Sequence, residues 1–521
     1  MEQSESAPTS RAAHSRLAWP VLLAMVVLVD TLIYRSRGFA GIAAFFPVAI
    51  VLLLLGRNHV RWNSALLLVT SLAILVSASM VWAGSVGQVA IAFWLMVAVN
   101  MAAQGLTPYV LESIVALAGV VPGGYEFLHA VQLNWRRIVL DPVDHSRPSR
   151  TLNFLLPMVS VVVFGTVFIL ANPDVIKQLS SLLSEFILQL QEWVSNFSAP
   201  EVIIWCVTIW ITGGLLSPVV RRAVSAAEIT IRQPVAGFEH PMYGPFRNTL
   251  ATLISLFVVY LIFEFCTLWF RTFPEGFHYS GYAHEGAAWL TVALALTTLT
   301  LSLIFRGSMT DDPRVETLKN LAWVWSALNF LLVASVYNRL LIYVDFNGMT
   351  RMRVVGFLGI SAVVGGFVFV LWKIIQRQRF IWLIRRQLWM LGIAIYLYLV
   401  VPVDLLVHRY NVQRILSGSP APCVQISEHP ITDDALPQLL PLLQCENQTI
   451  REGIQALLWT RLAILKSNSE TDSQDWTATQ FGRRHAHEEL LSAEQTLLPM
   501  GKDDNATTAL QSFHDYAMQW W

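Results

Sequence analysis

Long apolar runs, separated by short polar segments, fill about the first four-fifths of the chain. Each run has roughly 17–22 residues, enough to cross a hydrocarbon layer of about 30 Å as an α-helix. The pattern predicts spans at about 17–34, 38–55, 64–83, 87–104, 151–170, 202–220, 249–270, 287–305, 321–341, 354–372 and 388–407. The expected fold is therefore an all-α polytopic transmembrane helix bundle of about 11–12 spans.

One further apolar stretch, 109–122, is short, carries Glu112 and ends in VVPGG. It either crosses the membrane or dips into it where other helices shield its backbone. If it does not cross, about eleven spans remain and the N-terminus lies in the cytoplasm.

Two amphipathic stretches lie between or beside the spans. Residues 175–196 repeat apolar side chains at helical spacing, and residues 380–389 mix tryptophan with arginine. Such patterns are typical of helices at the membrane interface.

The polar segment after the last span differs from the rest. We divide the chain into a polar N-terminal segment 1–16, a transmembrane domain 17–407 and a small helical extramembrane domain 408–521, called the tail below. Helical patterns in the tail lie near 434–444, 448–466, 474–497 and 506–521. Pro-rich and Ser/Asp-rich segments separate them.

Composition supports a membrane protein, with 55% hydrophobic and only 13% charged residues. Ordinary soluble domains carry roughly a quarter charged residues. The 35 basic and 35 acidic side chains balance, so nothing favours a nucleic-acid partner. The expected partners are the lipid bilayer and, through the tail, another protein.

Loop charges predict the orientation. Lysine and arginine concentrate in 123–150, 221–247, 306–320 and 373–386, whereas 171–201 and 271–286 are poor in them. The positive-inside rule then places the four basic segments in the cytoplasm and the tail outside it. Arg35, Arg37, Arg351 and Arg353 fall on the opposite side and argue against this orientation.

The four cysteines fall into two pairs by location. Cys206 and Cys266 sit inside apolar spans, where a buried structural thiol is the simplest interpretation. Cys423 and Cys445 are the pair in the tail, and they can form a disulfide if the tail faces an oxidising compartment.

Several motifs occur in an order that resembles a known family. LVDTLIYRSRGFAGIAAFF opens the bundle, FILANPD leaves a span at 168–174, and YSGYAHEGAAWL follows at 279–290. Later, Arg339, Tyr343, Gly348, Thr350 and Arg353 match one pattern, and Asp404, Arg409, Asn411 and Arg414 match another. His284 stands where the family has arginine, Ala287 where it has an aromatic residue, and Met349 where it has leucine.

Together these stretches resemble a bacterial family of polytopic membrane proteins, the domain of unknown function DUF4173, which has a relative numbered DUF4153. The resemblance implies a multi-pass protein of the bacterial inner membrane. It implies architecture only, because the family has no function to carry over.

Ionisable groups inside predicted spans are the first candidates for function. Asp30 lies deep in the first span and Glu264 deep in the span at 249–270. A lone carboxylate there costs a few kcal/mol, so each should be paired, protonated or facing water. Each carboxylate has one of two roles. It either belongs to a proton or cation relay or a ligand contact, or it forms a structural pair with a buried Arg, Tyr or Asn.

A second group of candidates borders the membrane at 337–353. Phe346-Asn347-Gly348 predicts a turn, and Arg339 and Tyr343 lie one helical turn apart, so both can reach one buried partner. Tyr279, Tyr282 and Asp404 are the candidates for that partner. The full candidate polar cluster is Asp30, Glu264, Tyr279, Tyr282, Arg339, Tyr343, Thr350, Arg353, Asp404, Arg409 and Asn411. It either closes the outer end of the bundle or lines a shallow ligand pocket.

No catalytic motif accompanies these residues. RRHAHEEL at 483–490 lacks the H-E-x-x-H order of zinc proteases, and neither a phosphate-binding loop nor a G-x-S-x-G elbow occurs. We therefore expect no cofactor, no metal and no catalytic residue. Three functions remain open: a non-enzymatic envelope sensor, regulator or assembly partner; a secondary transporter or flippase; and a membrane-embedded enzyme for a lipid or polyprenyl substrate.

Overall fold

The structure is a computed structural model that describes residues 17–140, 198–217, 240–266, 279–305, 312–376, 380–472, 475–501 and 505–520, with 184, 309 and 378 as isolated residues. Within these ranges every regular element is helical. This confirms the predicted all-α polytopic class. The predicted span at 151–170 and the amphipathic stretch at 175–196 lie outside the described residues.

The helices of the apolar part follow one another closely. They are α1 (Ala18–Val29, continued by a π-helical turn Asp30–Tyr34), α2 (Phe39–Leu55), α3 (Ser64–Trp82), α4 (Val86–Ala103), α5 (Val110–Leu140), α6 (Ala199–Leu216), α7 (Tyr243–Glu264), α8 (Tyr279–Ile304), α9 (Val315–Asn347), α10 (Arg351–Gln376) and α11 (Phe380–Val400). Among the described residues, seven of them are long and apolar enough to cross a membrane, and four shorter apolar helices accompany them.

The stretch that starts at 109 proves to be part of a long helix. By length and composition alone, Val110–His129 of α5 could cross a membrane. Its Pro-Gly-Gly segment packs closely on α6, where a Cβ added to Gly214 would lie 2.2 Å from the carbonyl oxygen of Val120. Glycines thus allow the two backbones to touch.

The last predicted span ends earlier than its apolar run. α11 stops at Val400, and a separate helix α12 (Val403–Leu416) begins after Pro402. Proline has no N–H to donate and disfavours helical geometry in the residue before it, which explains the break.

The helix ends lie at two opposite faces of the bundle, which can be told apart by their contacts. Gly38 and Trp82 contact the tail at Ala478 and Asp434, and Gln88 donates to the carbonyl of Leu399. We call this end of the bundle the tail face. The other end carries the loops around Arg57, Arg61, Asp312 and Arg385, and we call it the opposite face.

The tail, which in the structure begins with α12 and so includes residues 403–407, forms a core of its own. Its elements are α12, α13 (Cys423–Glu428), a 3₁₀ segment Asp433–Gln444, α14 (Gln448–Asp472), a 3₁₀ turn Trp476–Ala478, α15 (Phe481–Ser492), α16 (Glu494–Leu497), a 3₁₀ turn Leu498–Gly501, α17 (Asn505–Ala517) and a 3₁₀ turn Met518–Trp520. Leu436, Leu439, Ile454, Leu458 and Phe513 meet in this core, separately from the clusters of the bundle. The predicted helix at 434–444 is a 3₁₀ segment, with Pro437 and Pro441 inside it.

Candidate functional site

The turn between α9 and α10 is the point where bundle and tail meet, and we call it the junction. α9 ends at Asn347, and Gly348 has a φ of +86°, as the Asn-Gly sequence predicts. A Cβ on Gly348 would lie 2.7 Å from Oδ1 of Asn411 and 2.8 Å from Cβ of Pro422. Glycine is required both for the backbone conformation and for the close approach of the tail.

Asn411 holds this turn from the tail side. Its Oδ1 accepts a hydrogen bond from the N–H of Met349 at 2.7 Å, and its Nδ2 donates to the carbonyl of Met349 at 2.9 Å. The side chain is fully buried. Gln425 adds a bond from its Nε2 to the carbonyl of Asn347. The side chains of the tail thus satisfy backbone groups that the end of α9 leaves unpaired.

Asp404 binds the first residue of α10. Both its oxygens accept from the guanidinium of Arg351, and Oδ2 also accepts from the N–H of Thr432 at 3.1 Å. Arg351 donates further to the carbonyl of Pro430. Burial tends to raise the pKa of Asp404, but Arg351 and Thr432 hold it below its usual value. The carboxylate is therefore ionised and committed to a structural pair.

Thr350 and Arg353 complete the junction on the bundle side. The hydroxyl of Thr350 accepts from the N–H of Arg353 in the first turn of α10. The guanidinium of Arg353 bonds the carbonyl of Gly348 and lies 3.8 Å from the ring centroid of Tyr343. Arg353 is buried, and a cation–π contact is stronger where the cation is shielded from water.

Glu264 and Arg339 form a second group, between α7 and α9. The Arg339 guanidinium donates through Nε to Oε1 at 2.7 Å and through Nη2 to Oε2 at 2.5 Å. Ser335 and Tyr260 donate to the same carboxylate. Because both charged side chains are almost wholly buried, this is an intramembrane ion pair whose acceptor oxygens bind four donors among the described residues.

Asp30 belongs to a third group at the end of α1. It pairs with Arg35 at 3.0 Å and accepts from Nε1 of Trp205 at 3.1 Å. Arg35 also pairs with Glu201 in the first turn of α6, at 2.6 Å. A π-helical turn from Asp30 to Tyr34 brings these groups together, and it ties α1 to α6 at the tail face.

Apart from Arg409, the described members of the predicted cluster lie in three separate groups. Asp404, Arg339 and Arg353 have different partners, so they do not converge. Of the three candidate partners of Arg339 and Tyr343, Asp404 binds Arg351 instead, while Arg339 binds Glu264 and Tyr343 stacks on Arg353. Arg409 is exposed on α12. Tyr279 and Tyr282 lie in the first turn of α8, and their side chains are outside the described part of the structure.

The tail cysteines are free thiols, so the predicted disulfide is not formed in this structure. Both are buried in the apolar core of the tail, where burial raises the pKa of the Cys423 thiol to about 12. These surroundings favour a packing role for the thiols.

Sequence reasoning missed several partners of these groups. Arg351, Ser335, Tyr260, Glu201 and Trp205 all complete a polar group, yet none was singled out as a ligand. A usable signal existed only for Glu201, which follows Ser198 in a capping box.

A cluster of Ser427, Glu428 and His514 in the tail contains the residue types of a hydrolase triad. The hydroxyl of Ser427 and the carboxylate of Glu428 both approach Nδ1 of His514, at 3.2 Å and 2.8 Å. A triad needs the serine on one ring nitrogen and the acid on the other. The geometry is therefore that of a hydrogen-bonded surface cluster.

The arginines that oppose the predicted orientation have local partners. Arg35 pairs with Asp30 and Glu201, Arg351 pairs with Asp404, and Arg37 lies 3.9 Å from Asp475.

Comparison with known proteins places the chain in a family without giving it an activity. Residues 21–442 match the family described as Domain of unknown function (DUF4153), from α1 to the 3₁₀ segment of the tail. The expected membership of DUF4173 is thus corrected to its relative. No curated protein and no solved structure matches the chain.

Proposed function

The chain belongs to the DUF4153 family, and we propose that it is a non-enzymatic envelope protein, a regulator or assembly partner whose tail binds another protein. The observation that carries this proposal is the junction at Gly348. There, Asn411 and Asp404 of the tail bind the backbone of Met349 and the side chain of Arg351. A tail held so firmly on one face presents a surface in a fixed orientation.

The carboxylates support a structural interpretation over a catalytic one. Asp30, Glu264 and Asp404 are each paired with arginine, so none of the three is available as a general base.

The tail also offers apolar side chains to a partner. Ile464 on α14, Leu491 on α15 and Leu498 after α16 are exposed. Lys466–Glu494 and Gln455–Thr496 contacts tie α14 to the segment that contains α16. These side chains are the apolar contacts that we propose for the partner.

The proposed location is a bacterial inner membrane with the tail outside the cytoplasm. Arg57 and Arg61 on the opposite face add positive charge where this orientation needs it.

In-cell photocrosslinking tests the proposal. A photoreactive amino acid is introduced at Ile464 or Leu498, and the matched control is Leu256, an exposed position of α7 in the bundle. We expect one crosslinked protein of defined mass from the tail positions and none from the control. Crosslinks to lipid alone at all three positions would overturn the proposal.

The buried pair of Glu264 and Arg339 favours a second candidate, a secondary transporter, because intramembrane charges often mark an ion path. Glu264→Gln in reconstituted vesicles distinguishes the two. A pH- or sodium-driven uptake that this variant abolishes would support transport, whereas an unchanged tail crosslink in the same variant would support the regulator.

A further inference from the structure

A groove opens between α2 and α3 where they reach the tail face. Its volume is about 490 Å³, within the range of roughly 300–1,000 Å³ typical of small-molecule sites. Ala44 and Pro47 of α2 form one wall and Ala78 of α3 the other, while Trp476 and Phe481 of the tail form the roof. The groove thus combines two bundle helices with a part of the tail.

Small side chains create this space. Alanines at 40, 43, 44 and 78 leave a gap between α2 and α3 that larger residues would fill. The roof is held in place by Gly38, where an added Cβ would lie 2.8 Å from Cα of Ala478. The hydroxyl of Thr477 also accepts a hydrogen bond from the N–H of Arg37 at 3.1 Å. The roof is therefore anchored to the start of α2.

The lining and its surroundings identify the chemistry of an occupant. The walls are apolar helices of the bundle, so the groove is continuous with the region that lipid chains occupy. Trp476 and Phe481 remain 60% and 53% exposed although they are large aromatic residues. Aromatic rings with this exposure are typical of the level where acyl chains meet headgroups.

A positive charge lies next to the apolar groove. The side chain of Arg37 is 63% exposed, and its ion pair with Asp475 is long, at 3.9 Å. Its guanidinium therefore retains donors that can bind a phosphate in a bidentate manner. An apolar channel beside an exposed arginine complements a molecule with an acyl chain and an anionic phosphate.

We propose that this groove binds one acyl chain of an anionic glycerophospholipid, with the lipid phosphate on Arg37. The site joins bundle and tail, so the bound lipid stabilises the docked position of the 476–481 segment. The proposal does not depend on the regulatory function, since it requires only that the groove face lipid.

Photolabelling of the purified full-length chain tests it. The probe is phosphatidylglycerol with a diazirine near the end of one acyl chain, and phosphatidylcholine with the same chain is the zwitterionic comparison. We expect labelled peptides from α2, α3 and residues 476–481, with several-fold more labelling by the anionic lipid. Unlabelled phosphatidylglycerol should compete at this position.

Two substitutions fill the groove, Ala44→Phe from α2 and Ala78→Phe from α3. The matched control is Ala251→Phe, an exposed alanine of α7. We expect either groove variant, but not the control, to reduce labelling of the groove peptides several-fold. Melting midpoints identify a groove variant that fails to fold, and the labelling of the other groove variant then tests the proposal.

The headgroup contact has its own pair of variants. Arg37→Gln should remove the preference for the anionic lipid, while Arg409→Gln, the same change at an exposed arginine of α12, should keep it. Labels spread evenly over exposed helices, and unaffected by the groove variants, would show ordinary surrounding lipid and overturn the proposal. Crosslinks between two copies through the groove would overturn it in favour of a dimer.

Discussion

Two arginine–carboxylate pairs of similar geometry occupy contrasting places in this protein. Arg339 binds Glu264 between two bundle helices, with side-chain exposures of 6% and 1%. Arg351 binds Asp404 where the tail meets the bundle, with exposures of 39% and 7%. Both arginines use Nε and Nη2 to contact both carboxylate oxygens. Their difference therefore lies in access to water.

The contrast shows how burial changes the role of the same contact. Within the bundle, the pair must offset the loss of hydration of both charges, and it needs Ser335 and Tyr260 as extra donors. At the junction, Arg351 stays partly hydrated and also reaches the carbonyl of Pro430. The first pair fixes the packing of α7 on α9, and the second fixes the tail on the turn at Gly348.

The largest expected effect is that of Arg339→Met. Removing Arg339 takes away the charged partner of a buried carboxylate that also accepts from Ser335 and Tyr260, and such changes cost about 3–5 kcal/mol. We expect a strongly lowered melting midpoint for the purified protein in a fixed detergent. The free energy of unfolding should fall less for the double variant Glu264→Leu, Arg339→Met, because an apolar pair needs no charge compensation.

The double variant is also the control for this prediction. If its loss of stability equals the sum of the two single losses, the packing of these side chains matters and their charge does not. The burial argument for the bundle pair would then fail.

The sequence predicts the helices of this protein much better than it predicts the pairs. Apolar runs place α2, α3 and α4 within one residue of their observed ends, because span length follows from bilayer thickness. The turn at Gly348 is equally local, since Asn-Gly allows the left-handed backbone.

The pairs depend on how distant helices pack. Glu264 and Arg339 are 75 positions apart, and Arg351 and Asp404 are 53 apart, so no local pattern links them. Asp404 was a predicted site residue, but its partner Arg351 was weighed only as a charge against the orientation. The identity of a partner depends on the rotation of each helix about its axis, which apolar composition on nearly all sides leaves undetermined.

The junction pair should show a smaller effect than the bundle pair. Arg351→Gln leaves Asp404 with the N–H of Thr432, and a lost charged hydrogen bond costs about 1.5–3 kcal/mol. We expect faster proteolysis at the exposed Ser417–Gly418 segment, with little change in the melting of the bundle. Arg409→Gln, the same change at an exposed arginine on the helix of Asp404, should leave the proteolysis rate unchanged. Equal rates in both variants would contradict a docking role for Arg351.

The smallest expected effect is a pH dependence confined to the junction. His408 is buried one turn after Asp404, and burial lowers its pKa to about 4. The nearby Asp404 carboxylate acts in the opposite direction, whereas Arg351 and His429 lower the pKa of His408 further. The unfolded histidine binds a proton below about pH 6.5, whereas the folded one stays neutral, so stability falls as the pH falls through this window. The pKa of Asp404 lies below its usual value, so its contribution is lost only at still more acidic pH.

Lowering the pH from 7.5 to 5.5 should therefore cost the docked tail about 1 kcal/mol through His408. Proteolysis at Ser417–Gly418 measures it, because the cleavage rate reports the open fraction of the tail. The rate should rise several-fold at pH 5.5 in the wild type and stay nearly constant in His408→Gln, which cannot titrate. The melting midpoint of the bundle should stay the same between pH 7.5 and pH 5.5, because Glu264 and Arg339 are both shielded from water. If His408→Gln shows a pH effect of equal size, another group causes the effect, and the proposed role of His408 at the junction is wrong.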